Sequence, residues 1–150
     1  MKIVVKLIPT WWRHPPKAKV FFDNSCLWQG EVINTQVLTF DVDIQDQVSS
    51  NISVELFDKK IDETQVNGDE IIKDQLLRID QILIDQIDLG YLLFKGIYRP
   101  IYPKHMIDEA TDKNLLLPTT LEKIDTLGFN GTWTISFDHP FHIWYLENLP

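Results

Sequence analysis

The chain has 150 residues and a mass of 17.6 kDa, the size of one domain, so a single unit spanning 1–150 is expected. With 44% hydrophobic and 24% charged residues it carries enough apolar surface to exclude wholesale disorder. Against 22 acidic residues stand 14 basic ones, and the net charge of −8 excludes a general nucleic-acid binder or a binder of anionic lipid.

Ile3, Val5 and Leu7 alternate with Lys2 and Lys6, a period of two that predicts a first strand ended by Pro9. The same lysines interrupt Met1–Ile8, so it does not read as a signal-peptide core, and no later stretch is long enough to predict a membrane span. Trp11-Trp12-Arg13-His14-Pro15-Pro16 reads as a loop, because its two prolines forbid regular structure. Lys17–Phe22 and Leu27–Ile33 flank a turn at Asp23-Asn24-Ser25 and predict a hairpin. Cys26 is the only cysteine, which excludes an intrachain disulfide and a Cys-based zinc site and fits synthesis in a reducing cytoplasm. Leu38, Phe40, Val42 and Ile44 alternate with Thr39, Asp41 and Asp43, and Ile52, Val54 and Leu56 repeat the pattern.

Residues 72–88 admit two readings. Ile72, Leu76, Ile79, Leu83 and Ile87 have helical spacing, whereas Asp80, Asp85, Asp88 and the branched run Ile82-Leu83-Ile84 favour strands. Tyr91–Pro103 reads as an extended arm or edge segment, since Pro100 and Pro103 impose extended backbone, and Lys104–Asn114 reads as an irregular loop. Asn130-Gly131 predicts a turn into a final strand in which Trp133, Ile135 and Phe137 alternate with Thr132, Thr134 and Ser136. Pro140 at a first helical position predicts a short C-terminal helix with Phe141, Trp144 and Tyr145 on its apolar face, capped by Asp138 or His139, with His142 half-buried.

No glycine-rich phosphate loop, nucleophile elbow or paired-histidine motif occurs, so no catalytic residue is assigned and an enzyme is not expected. His139 and His142 have ligand-like spacing without a third partner. Asp41-x-Asp43-x-x-Asp46 and Asp58-x-x-x-Asp62 are the groups available to a calcium ion, although neither follows the helix-loop-helix calcium signature, and a solvated acidic face explains them as well. Trp11, Trp12 and Trp28 can form a platform for sugar rings. Aromatic residues in proline-rich loops also serve protein interfaces, and two of the three arginines, Arg13 and Arg99, sit beside Trp11, Trp12, Tyr98 and Tyr102.

Four stretches share a pattern with known sequences. They are Glu55-Leu56-Phe57-Asp58-Lys59-Lys60-Ile61-Asp62-Glu63-Thr64 with Asn67-Gly68-Asp69-Glu70-Ile71-Ile72-Lys73-Asp74, then Ile82-Leu83-Ile84-Asp85, then Leu92–Pro103, and the ending Leu127–Trp133 with Pro140–Asn148. From about Val20 to Leu149 the chain resembles uncharacterised small proteins of contractile-tailed phages infecting marine cyanobacteria. The resemblance implies a carbohydrate-binding-module-like β-sandwich of the kind phages attach to heads, tails and fibres, and it reads residues 72–88 as strands. The Asp and backbone-carbonyl cluster of calcium-dependent sugar-binding modules is not matched here, so no sugar site carries over.

The expected fold is therefore an all-β antiparallel sandwich of jelly-roll type with a short C-terminal helix. Its inner faces hold Ile3, Val5, Leu38, Phe40, Val42, Ile52, Val54, Leu56, Trp133 and Ile135. The expected function is a non-enzymatic virion structural protein, made in the host cytoplasm, that decorates or joins head, tail or fibre components, with a symmetric oligomeric assembly among the arrangements considered. Its contacts with other virion proteins are assigned to Trp11, Trp12, Arg13, Tyr98, Arg99, Tyr102, Trp144 and Tyr145. The alternative is a glycan-binding module for the host surface, with calcium as the one cofactor considered. Neither nucleic acid nor membrane is an expected partner.

Overall fold

The computed structural model describes all residues, Met1–Pro150. In chain order its strands are β1 (Lys2–Thr10), β2 (Lys17–Phe22), β3 (Ser25–Glu31), β4 (Gln36–Asp41), β5 (Ser49–Phe57), β6 (Gln65–Asn67), β7 (Glu70–Lys73), β8 (Leu76–Ile84), β9 (Ile87–Asp88), β10 (Ile97–Pro100), β11 (Leu121–Glu122), β12 (Thr126–Leu127) and β13 (Gly131–Asp138). The helices are α1 (Lys104–Asp112) and α2 (Phe141–Asn148). One antiparallel sheet has the order β12-β8-β1-β4, with β9 beside β8. The facing sheet has the order β11-β10-β13-β5-β2-β3, and β6 and β7 form a separate hairpin.

The alternating residues define the core. Ile3, Val5 and Leu7 of β1 and Leu77, Ile79, Ile82 and Ile84 of β8 face Val20, Ile52, Val54, Leu56, Trp133 and Ile135 of the other sheet, in one apolar cluster. Phe40, Val42 and Ile44 pack at its edge, partly buried. The antiparallel sandwich with a short C-terminal helix is the expected fold. Phe141 and Trp144 of α2 cover Phe137 at one end, with ring centroids 5.4 Å and 6.1 Å from it.

Residues 76–84 form a strand, and the helical reading fails for a specific reason. In the pairing with β1, Lys6 lies opposite Gln81 while Leu7 lies opposite Ile79, so Asp80 is an extra residue in β8. A bulge shifts the alternation by one residue, and the core-facing set Leu77, Ile79, Ile82 and Ile84 acquires a spacing of two, three and two. Of the residues at helical spacing only Ile79 belongs to this core-facing set, while Leu76, Leu83 and Ile87 are half-buried. Ile72, which the helix would bury, is exposed on β7.

Other local expectations are corrected. β1 continues through Pro9, which pairs with Leu77 near the strand end, where a missing N–H is tolerated. Tyr91–Pro103 is not an arm: Gly90–Lys95 is a 3₁₀ turn that buries Leu92 and Leu93, and β10 lies between β11 and β13. Lys104–Asn114 is not a loop, because α1 forms there, flanked by Pro103 at φ −60° and supported by a Lys113–Glu109 pair at 2.8 Å. No side chain caps α2; His139 Nε2 instead meets Ser50 Oγ at 2.7 Å, and His142 points outward on the exposed face. Gly131 enters β13 at φ +149°, where a Cβ would strike the Arg99 carbonyl oxygen and Pro100 backbone, so the turn requires glycine.

Candidate functional site

The bulge in β8 has a second consequence. Ile79 and Ile82 both face the core, so Asp80 and Gln81, adjacent in sequence, lie together on the outer side of the sheet. Lys6 of β1 pairs with Asp80 at 3.4 Å, Arg78 reaches Asp80 at 3.2 Å, and the same guanidinium reaches Asp125 at 3.5 Å. Gln81 Nε2 donates to Asp88 Oδ2 at 2.8 Å, and the other Asp88 oxygen accepts from the Gly90 N–H at 2.9 Å. A row of polar groups thus lies on the outer face in two paired sets, Lys6, Asp80, Arg78 and Asp125 in one and Gln81 with Asp88 in the other.

The 3₁₀ turn at Gly90–Lys95 walls this row. Leu89, Leu92 and Leu93 sink into the core and thereby turn Tyr91 outward, leaving it 84% exposed, with Phe94 beside it at a centroid distance of 6.4 Å. Gly90, at φ +53°, permits the sharp entry into the turn. The resulting shallow, open cleft measures about 460 Å³, and Tyr91 and Phe94 border both it and an adjoining depression of about 590 Å³ that Lys95 and Lys123 help to line. Polar side chains that donate and accept in fixed directions beside an exposed aromatic face suit a ligand with hydroxyl edges and an apolar face.

The residues singled out from sequence lie elsewhere. Trp11 and Trp12 sit in the loop after β1, with indole N–H groups donating to the Ile33 carbonyl at 3.0 Å and the Glu63 carbonyl at 2.7 Å. Lys73 Nζ lies 4.9 Å from the Trp12 ring centroid and Arg13, paired with Asp62 at 2.9 Å, lies 5.8 Å from it. Cations over the ring compete with a sugar for the same face. Trp28, opposite the buried Val20, turns towards the core, so the three tryptophans do not make one platform. Tyr98 and Trp144 are corrected from interface to core: Tyr98 is 1% exposed on a central strand, bonded to Phe129, and Trp144 is packed on Phe137. Burial pushes the Tyr98 phenol well above its usual pKa. Tyr102 is half-buried against Phe129 and donates to the Pro118 carbonyl at 2.7 Å; Tyr145 is half-buried beside Phe141; Arg99 is exposed.

No three His, Cys, Asp or Glu residues gather as a metal would require. Asp41, Asp43 and Asp46 are exposed near the end of β4, and Asp62 is engaged by Arg13. Asp58 binds Lys17 at 2.8 Å and Lys60 at 2.5 Å, and these hydrogen bonds hold its carboxyl down at about 2. Because its folded pKa is depressed, the stabilisation it contributes is present above the ordinary value of 3.8 and disappears as the pH falls towards 2. Carboxyl-carbon NMR is expected to give Asp58 a midpoint near 2, rising towards 3.8 in Lys17→Met; an unshifted wild-type midpoint contradicts this pairing.

No family model matches the chain, and no curated protein matches it by sequence. Two solved structures share its fold. vCBM60 in complex with galactobiose aligns with a TM-score of 0.54 and 11% identity over 92% of this chain and 98% of that one. A selenomethionine form of vCBM60, described as linking two families of calcium-dependent carbohydrate binding modules by circular permutation, aligns with a TM-score of 0.58 and 10% identity over 94% of this chain and 97% of that one. At this identity the likeness establishes a carbohydrate-binding-module-like β-sandwich. The cleft residues escaped the sequence reading because they are scattered over β1, β8, β9 and the segments around them; the Asp80-Gln81 pair between apolar neighbours was the one local sign of a bulge.

Proposed function

We propose that the protein is a non-catalytic glycan-binding module whose site is the cleft at the Asp80 bulge. The observation that carries this reading is Tyr91, 84% exposed beside the Asp80, Gln81 and Arg78 row. A pyranose stacks its C–H face on the phenol ring while its hydroxyls meet carboxylates, amide and guanidinium, so one sugar satisfies both halves of the cleft. The shared fold with vCBM60, a galactobiose complex in one structure, supports the class of ligand.

Tyr91→Ala is expected to weaken binding to the best ligand of a neutral oligosaccharide array, galactobiose included, by about tenfold or more. Its thermal unfolding midpoint should stay close to wild type, because the side chain is largely in water. Wild-type protein that binds nothing on the array rules the reading out.

The phage-protein resemblance adds a setting, in which the module is carried on a virion and holds it to host-surface polysaccharide. Trp11 and Trp12 favour this second role, because both are over one-third exposed and neither lines the cleft. With Arg13 they offer a separate surface to another virion protein. Mass spectrometry of purified particles tests it: a fixed copy number relative to capsid and tail subunits is the expected result, and absence refutes it.

A further inference from the structure

Asp80, Asp88 and Asp125 line the cleft without gathering into a metal site, and the partners of their oxygens show why calcium does not fit. Asp80 gives one carboxylate oxygen to Arg78 and the other to Lys6. Asp88 gives one to Gln81 and the other to the Gly90 N–H, and Asp125 gives one to Arg78 and the other to Thr126 Oγ1 at 3.0 Å. Each oxygen of the three carboxylates therefore already faces a donor or a cation of the chain, Asp88 through two hydrogen bonds, Asp80 through two ion-pair contacts and Asp125 through one of each. Calcium needs about six to eight oxygens drawn to one centre at about 2.3–2.6 Å. Here it would sit beside the like charges of Lys6 and Arg78, which already contact two of the three carboxylates, and the three do not gather round one centre. The donor set does not fit the ion.

Resting on the glycan-binding reading of this cleft, we infer that Arg78 is its fixed cation and that the site takes a neutral glycan without metal. The guanidinium lies between Asp80 and Asp125, uses two nitrogens there and leaves further N–H groups for a sugar hydroxyl. Each paired carboxylate oxygen keeps a second lone pair, so adjacent hydroxyls of one ring find an acceptor and a donor side by side. Lys6 and Arg78 against Asp80, Asp88 and Asp125 leave the cleft net negative on a chain of charge −8, which disfavours uronates and sulfated sugars.

The test is calorimetric titration of the neutral oligosaccharide array, galactobiose included, into the full chain with excess EDTA and again with calcium chloride. Equal affinity within about twofold in the two buffers is expected, with a loss of about tenfold in Arg78→Gln and an intermediate loss in Arg78→Lys, whose ammonium cannot span both carboxylates. Arg78 is half-exposed, and circular dichroism checks that each variant is folded. Binding that appears only with calcium overturns the inference and leaves the glycan-binding reading standing. Binding in EDTA that Arg78→Gln does not change removes the role of Arg78. Tighter binding of a uronate oligosaccharide than of its neutral counterpart overturns the assigned ligand class, and absence of binding in both buffers overturns the reading itself.

Discussion

Trp133→Ala is expected to lower the unfolding free energy by about 3–5 kcal/mol, measured by urea denaturation. Trp133 is fully buried on β13 between β5 and β10, and its indole covers Gly96, where even a Cβ has no room. Neighbours held by two sheets cannot collapse into the space that the ring vacates, so the lost transfer energy and the cavity add. The indole N–H has no acceptor, which makes Trp133→Phe informative: it removes an unsatisfied donor with part of the ring and should cost much less than alanine. A loss below about 1 kcal/mol in Trp133→Ala would contradict this packing.

Asp74→Ala is expected to cost about 3–5 kcal/mol, because it strands a buried ammonium. Lys59, with 8% of its side chain exposed, contacts Asp74 at 2.7 Å and the Gly128 carbonyl at 2.6 Å. The same Asp74 oxygen accepts from Thr64 at 2.7 Å and from the Gln75 N–H at 2.8 Å. Lys59 and Asn130 also exchange hydrogen bonds, N–H to Oδ1 at 2.8 Å and Nδ2 to carbonyl at 3.1 Å, so the ion pair ties the segment after β5 to the turn before β13. The double variant Lys59→Met/Asp74→Leu should be more stable than Asp74→Ala, since no charge is left unpaired. The reverse order in urea unfolding would mean that the pair contributes more than the desolvation it incurs.

The two effects differ in how readable they were. Trp133 announces itself through alternation with Thr132 and Thr134, whereas nothing near Lys59 in the sequence points to Asp74 or Gly128. The same contrast separates fold from site. Ile3, Val5 and Leu7, or Ile52, Val54 and Leu56, state their burial locally because a strand turns successive side chains to opposite faces. Tyr91, by comparison, looks like one more member of an apolar run, and only the burial of Leu89, Leu92 and Leu93 makes it the residue left in water. Tyr98 and Trp144 fail in the other direction, since proline-flanked or terminal aromatics read as surface until a neighbouring strand or ring covers them.

The sequence by itself determined that the chain is a β-rich, acidic protein with most of its strands, because composition and period-two alternation are local properties that burial on one face imposes directly. Tertiary structure alone decided where the bulge falls, that Asp80 and Gln81 share the outer face, and that Arg78 lies between Asp80 and Asp125. Those facts depend on the register between β1 and β8 and on contacts made by residues more than forty positions apart, which no local pattern encodes.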